Sequence, residues 1–245
     1  MAAGKKVRLD KLLVDLGHFE SRERAQRSIL AGQVLVNERV SDKPGLLVLP
    51  EAPIRVAERE RYVSRGGLKL EAALDFFKID PSGWRCLDVG ASTGGFTDCL
   101  LQRGAAHVVT VDVGHNQLAW KIRSDPRVTA IEGVNARFLT AEQVGLDFDL
   151  AVADLSFISL TLVLDSFLKL LRRNSEAIVL IKPQFELDPQ RVGQGGIVRQ
   201  ETDRLAAVSK IQEFVVHQLG RAWRGVIPSP TLGTKGNQEY LACLR

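Results

Sequence analysis

The run Leu87-Asp88-Val89-Gly90-Ala91-Ser92-Thr93-Gly94-Gly95-Phe96-Thr97 constrains this chain more than any other stretch. It predicts a buried strand that ends in an acidic, glycine-rich turn and opens directly into a helix. In an α/β protein such a turn lies at the carboxyl end of a strand, where ligands bind. Glycines let the backbone approach a ligand, and the helix start presents N–H groups without intrahelical partners. The run lacks the Gly-Lys-Ser/Thr of a P-loop and the Gly-x-Gly-x-x-Gly spacing of a dinucleotide fold. An acid two residues before the first glycine suits a cationic or hydroxyl-rich ligand better than a pyrophosphate, and S-adenosylmethionine meets both descriptions. A tight strand–helix turn without a ligand is the alternative.

From Trp84 onward strand and helix patterns alternate. The expected strands are 86–89, 108–111, 128–131, 150–153, 177–181, 222–226 and 240–244, with clear helices at 160–171 and 204–219. Such alternation means a mainly parallel sheet covered on both faces. Residues 188–202, with Gly193, Gly195 and Gly196, read as a mobile loop near the active edge. No apolar run approaches the ~18 residues of a membrane span, and no signal peptide precedes Lys5 and Lys6. Cys86, Cys99 and Cys243 are odd in number and form no Cys-x-x-Cys pair, so they read as reduced thiols in a cytoplasmic protein, two of them in the core. Four scattered histidines argue against a metal site.

The amino-terminal sixty residues form their own unit. Leu9, Leu12, Leu13 and Leu16 recur at helical spacing up to Gly17, and Ser21 can cap a second helix that turns Ala25, Ile29 and Leu30 inward and stops at Gly32. Short strands follow at Val34–Val36, Val40, Leu46–Val48 and Ile54–Val56, with a turn at Asn37-Glu38. Residues 57–65 are charged and read as a linker. Gly66-Gly67 then opens a helix with Leu68, Ala72, Leu74 and Phe77 on its apolar side. Residues 1–69 hold 14 Lys/Arg against 9 Asp/Glu, whereas residues 70–245 hold 19 against 20. The whole positive excess is therefore amino-terminal, which suits an anionic partner but equally a solvated basic surface.

Arg8-Leu9-Asp10-Lys11-Leu12-Leu13, Ser21-Arg22-Glu23-Arg24-Ala25, Gly32-Gln33-Val34-Leu35-Val36-Asn37 and Lys43-Pro44-Gly45 together resemble the S4 RNA-binding domain. The resemblance implies docking onto structured RNA through phosphate contacts from Arg8, Lys11, Arg22, Arg24 and Lys43, with Arg65 joining at the junction. Such contacts position the protein without reading sequence.

Four polar positions stand at expected strand ends. Asp112 follows the second strand, where an acid can bind ribose hydroxyls or simply cap a turn. Asn135 follows the third, either beside an adenine edge or as a turn residue. Asp154 opens Asp154-Leu155-Ser156-Phe157. Lys182 opens Lys182-Pro183-Gln184-Phe185-Glu186, and burying its stem puts the ammonium in a cleft. These motifs, with Tyr62-Val63-Ser64-Arg65-Gly66-Gly67-Leu68-Lys69-Leu70, Gly195-Gly196-Ile197-Val198-Arg199 and Gly236-Asn237-Gln238-Glu239-Tyr240, resemble the hemolysin A or TlyA family over nearly the whole chain.

The resemblance implies a small α+β S4-like domain over 1–60. It implies a Rossmann-like class I, FtsJ-like methyltransferase domain over 66–245, α/β with a mostly parallel seven-stranded sheet. It implies S-adenosylmethionine as cofactor, held by Asp88, Gly90, Ser92, Thr93, Gly94, Gly95, Asp112, Asn135 and Asp154. It places a Lys-Asp-Lys-Glu tetrad on Lys69, Asp154, Lys182 and Glu239, and it implies 2′-O-methylation of cytidine in ribosomal RNA by a cytoplasmic monomer without a membrane partner. Short termini resemble the family's class that modifies the large subunit alone. A 2′-hydroxyl is a poor nucleophile until its proton is leaving, so a base must lie within hydrogen-bond reach. Lys182 is the expected base; burial and the Lys69 ammonium would favour its neutral form, Asp154 and Glu239 its charged form. Which lysine is neutral stays open here. An exocyclic-amine base methyltransferase would carry (Asp/Asn)-Pro-Pro-aromatic where this chain has Asp154-Leu155-Ser156-Phe157, and a C5-methylcytosine enzyme would need a cysteine beside the site, whereas Cys86, Cys99 and Cys243 fall inside expected elements. Direct membrane lysis, which the older family name suggests, has no span to support it.

Overall fold

The structure is a computed structural model that describes residues 5–56 and 61–245. The chain divides into two compact units, 1–60 and 61–245. Of the expected linker, residues 57–60 lie outside the described residues. Residues 61–65 belong to the larger unit instead: Tyr62 is buried in its core, and the Val63 N–H donates to Asp98 at 2.9 Å.

The smaller unit runs β1 (Val7–Arg8), α1 (Leu9–Asp15), α2 (Arg22–Leu30), β2 (Val34–Val36), β3 (Arg39–Ser41), β4 (Leu47–Val48) and β5 (Ile54–Val56). Strands β3-β2-β5 form one antiparallel sheet, and β1 pairs with β4. Ser21 caps α2 by accepting from the Arg24 N–H. Asn37 and Glu38 both have positive φ, the geometry of a tight two-residue hairpin. Leu9, Leu12, Leu13, Ala25, Ile29, Val34 and Val48 make the core. Leu16 and Leu30 are exposed, against expectation. Both sit at the carboxyl end of a short helix, one residue past the turn that still faces the core.

The larger unit continues with α3 (Gly66–Phe77), β6 (Arg85–Val89), α4 (Gly95–Gln102), β7 (His107–Asp112), α5 (Trp120–Arg123), β8 (Val128–Glu132), α6 (Ala141–Val144), β9 (Phe148–Ala153), α7 (Leu164–Leu168), β10 (Leu171–Ile181), α8 (Pro183–Glu186), α9 (Glu201–Glu213), β11 (Trp223–Pro228) and β12 (Tyr240–Leu244). Seven strands form one sheet in the order β11-β12-β10-β9-β6-β7-β8, parallel except for β12, which runs against both neighbours. Side chains alternate between two cores: Leu87, Val109, Ala151 and Val179 face one, and Cys86, Val108, Val152 and Ile178 the other. This Rossmann-like architecture reverses strand order between β6 and β9, the switch point where ligands bind beyond the strand ends.

Three local expectations are corrected. The helix expected at 160–171 is a 3-10 turn at Leu160–Leu162 plus the five-residue α7, and β10 already begins at Leu171. Helix α3 turns Leu70 and Ala73 inward with Leu74 and Phe77, leaving Leu68 exposed. The apolar stripe is thus rotated from the expected one, and Lys69 is carried into the interior beside Leu70. All three cysteines, not two, are buried, and burial pushes each thiol up to about 12.

Candidate active site

Five sheet ends converge on one rim. Gly90 follows β6, Asp112 ends β7, Asp154 follows β9 and Lys182 follows β10. Glu239 precedes β12, and because β12 is antiparallel with Tyr240 opposite Ile181, Glu239 arrives beside Lys182. Lys69 comes from the first turns of α3. Sequence separations of up to 170 residues collapse into a cavity of about 280 Å³ lined by Lys69, Asp154, Lys182 and Glu239 together with Gly90, Ser92, Thr93 and Gly95.

The four charged groups stand as two ion pairs. Lys69 Nζ donates to Glu239 Oε2 at 2.5 Å, and their side chains are only 10% and 3% exposed. Lys182 Nζ lies 2.6 Å from Asp154 Oδ1, with side chains 11% and 24% exposed. Lys182 also donates to Ser156 Oγ at 2.7 Å. Gly233, absent from the expected site, closes against this group: a Cβ there would lie 2.0 Å from Glu239 Oε1. The two loops that carry Asp154 and Lys182 are tied together by Glu186, which accepts from Ser159 Oγ at 2.5 Å and from the Leu160 N–H at 2.8 Å. Glu186 lay within the Lys-Pro-Gln-Phe-Glu run, but only its burial reveals the tie.

A second cavity of about 430 Å³ shares Gly90, Ser92, Asp154 and Ser156 with the first. Its walls are largely apolar, from Val111, Val134, Ala136, Leu155 and Ile158, with Asp112 and Asn135 at its polar end. Asp112 already accepts from the Ser92 N–H at 2.8 Å and the Gly114 N–H at 2.7 Å, so it shapes the glycine turn as well as lining the slot. Asn135 accepts from the Arg137 N–H and caps a 3-10 turn. Gly90 has φ +85°, and a Cβ there would lie 2.7 Å from the Asp154 backbone oxygen. Only glycine lets β6 and β9 release their chains this close together. A cavity with largely apolar lining and the polar side chains of Asp112 and Asn135, sharing four residues with a chamber of paired charges, suits a nucleoside whose polar arm reaches that chamber.

Two of the expected cofactor residues, Gly94 and Asp88, line neither cavity. Gly94 is buried and faces Leu118 and Ile122, not either cavity. Asp88 is fully buried on the α4 side of the sheet, where it accepts from Thr97 Oγ1 at 2.6 Å and lines neither cavity. The alternation of β6 aims Asp88 into the core, so it braces the turn from below. Burial pushes its carboxyl up to about 7. An unfolded Asp titrates near ~3.9, so between those values the folded chain binds the extra proton. Stability contributed by this group is therefore full below about pH 4 and is lost as pH rises through 7. Asp88→Asn removes the charge, and its melting temperature relative to the native chain should rise between pH 5 and pH 8. A difference that does not change with pH contradicts this assignment.

A third cavity, about 280 Å³, is also lined by Lys182. Phe157, 90% exposed with φ +63°, meets Phe185 there at a 5.2 Å centroid distance. The segment 188–202, expected as a mobile loop, borders it and is built from short turns. Asn237 tethers it by accepting from the Val198 N–H at 2.9 Å and donating to the Gly196 carbonyl at 2.7 Å.

In the smaller unit, Arg8 and Arg22 both contact buried Asp10 at 2.9 Å, and Gln26 donates to it at 2.7 Å. The Arg8 guanidinium holds the Asp10 carboxyl well below the usual carboxylate range. These two arginines are half-exposed but partly neutralised. Arg24 pairs with Glu20 at the surface, and Lys11, Lys43 and, in the larger unit, Arg65 are exposed. Arg65 lines the chamber of the two ion pairs. Among the described residues no helix is long and apolar enough to cross a membrane, and no His/Cys/Asp/Glu group could hold a metal ion.

The S4 domain family matches residues 7–54, and the FtsJ-like methyltransferase family matches residues 62–245. A 16S/23S rRNA (cytidine-2'-O)-methyltransferase TlyA from Mycobacterium tuberculosis is 45% identical, covering 98% of this chain and 90% of that protein. Hemolysin A of Brachyspira hyodysenteriae is 42% identical over 96% of this chain and 98% of its own length. A solved structure of a candidate hemolysin from Streptococcus thermophilus superposes with a TM-score of 0.74 at 40% identity, covering 99% of this chain and 89% of that one.

Proposed function

The chain belongs to the FtsJ-like methyltransferase family and carries an amino-terminal S4 domain, and from that premise we propose that it methylates the 2′-hydroxyl of a cytidine in ribosomal RNA with S-adenosylmethionine as donor. One observation carries the reading: two lysine–carboxylate pairs share a chamber that has four lining residues in common with a larger, mostly apolar cavity bearing Asp112 and Asn135. S-adenosylmethionine, when bound, supplies an electrophilic methyl group on a sulfonium. The residues that would hold it are Gly90, Ser92, Thr93 and Gly95 at the turn and Asp112 and Asn135 along the slot, with the Asp154 carboxylate facing a cation when Lys182 is neutral.

Lys182 is the base in this reading. Its ammonium-bearing end is open to the chamber, and its neutral form accepts the 2′-hydroxyl proton at Nζ. Asp154 holds that nitrogen in place and stabilises the ammonium that results. The Lys69–Glu239 pair lines the same chamber, nearly buried and charge-balanced. Most of the acceleration then comes from fixing hydroxyl and methyl donor in one geometry. The smaller unit brings the RNA: Lys11, Lys43, Arg24 and the half-neutralised Arg8 and Arg22 contact phosphates, and Arg65 meets the strand at the chamber mouth.

Mapping ribose methylation on ribosomal RNA from cells with and without the protein tests this directly. Loss of at least one 2′-O-methylcytidine is the expected result, and the mapped positions assign the subunit. Loss of a base methylation, with every ribose methyl retained, overturns the reading.

A further inference from the structure

We propose that Ser156 is a positioning residue for Lys182: it fixes the rotation of the lysine amine so that the proton-accepting site faces the chamber. The inference rests on the reading of Lys182 as the base. Among the described residues two polar side chains contact Lys182 Nζ, and they act differently. The Asp154 Oδ1 contact, at 2.6 Å, is one of charge proximity, for that oxygen is buried and takes part in no bond of hydrogen-bond geometry. The Ser156 Oγ contact, at 2.7 Å, is a formed hydrogen bond donated by Nζ.

The distinction matters because the lysine nitrogen is tetrahedral. Attraction to a carboxylate depends mainly on distance and leaves rotation about Cε–Nζ nearly free. A hydrogen bond falls off steeply with angle, so it selects one rotation. With Cε and Ser156 occupying two of the four directions, the other two are set. In the neutral amine one N–H keeps the bond to Ser156, the second N–H and the lone pair share the two remaining directions, and the Asp154 carboxylate favours the N–H on its own side, which leaves the lone pair the other. Ser156 lines both cavities that Lys182 lines and the second cavity as well, so it sits where chamber, slot and third cavity meet. The chain places it there through β9: Asp154 and Ser156 are two residues apart on the same exit segment, which Glu186 pins through Ser159 and Leu160.

The test compares Ser156→Ala and Ser156→Thr in the full-length protein, with ribosomal subunits as substrate. Ser156→Ala should lower kcat on the order of tenfold to a hundredfold. Calorimetric affinity for S-adenosylmethionine and the KM for the subunit should stay within about twofold, and Ser156→Thr, which keeps the hydroxyl, should restore most of kcat. An unchanged kcat in Ser156→Ala overturns the inference. So does a loss that appears in KM or cofactor affinity rather than kcat, or one that threonine does not rescue. Near-native turnover of Lys182→Ala would instead remove the base assignment itself, a result distinguishable from any behaviour of Ser156.

Discussion

Lys182→Ala lowers methyl transfer by about a hundredfold to ten-thousandfold, the range removed with a positioned base, and leaves S-adenosylmethionine affinity within about twofold. The structure makes this variant cleaner than its counterpart at Lys69. Lys69 and Glu239 form a nearly closed pair, and removing one member of such a pair costs ~3–5 kcal/mol because a buried charge is left alone. Asp154 is about a quarter exposed, and the chamber it lines lets water reach the buried Oδ1 once Lys182 is gone. The loss in Lys182→Ala therefore reports chemistry rather than unfolding. Lys69 cannot take over, since its ammonium is already bonded to Glu239. Single-turnover methylation and calorimetry check the two halves. A variant that turns over at the native rate ends the assignment, and one that fails to bind the cofactor moves Lys182 from the reaction to the binding site.

Deleting residues 1–60 weakens ribosomal RNA binding more than about tenfold and leaves cofactor affinity unchanged. Each phosphate that a protein neutralises contributes ~0.9 to the slope of log affinity against log salt. Five candidate cations would suggest a fall of about five in that slope. Arg8 and Arg22 share the charge of buried Asp10, so we expect a fall nearer three. Binding measured across a salt series for the full chain and for 61–245 tests the division. Equal RNA affinity for both refutes it. Because residues 61–65 pack into the larger unit, the cut falls after residue 60; a cut at 66 would remove Tyr62 from the core and confound the result.

Much of the fold was legible because sheet residues obey a period that needs no tertiary information. The strands β6, β7, β8, β9 and β12 fall within two residues of their sequence-based bounds. Helices were less legible where they are short. A five-residue helix such as α7 carries barely more than one turn, and its apolar residues, Leu164, Phe167 and Leu168, merge in the sequence with those of the strand that follows. The face of α3 was misread for a related reason: Leu68 and Leu70 are both leucine, and packing alone chooses Leu70.

The candidate site divides in the same way. Its residue types were legible as short runs, since Asp154 and Lys182 stand directly after apolar strands and Gly90 opens the turn. Their pairing was not. Lys69 bonds Glu239, and Lys182 bonds Ser156 beside Asp154, because antiparallel β12 delivers Glu239 to the edge where α3 brings Lys69. Asp88 has a side chain turned into packed interior, and Gly94 packs against Leu118 and Ile122, which the sequence alone does not show.

By itself the sequence determined which groups are present, where strands alternate with helices, and that a basic unit precedes an acidic-to-neutral one. These follow from local periodicity and charge. Which side of a strand faces the core, which carboxylate meets which lysine, and which hydroxyl orients the base were decided by tertiary structure alone. Those depend on register and strand direction, and a shift of one residue in either sends a side chain from cavity to core.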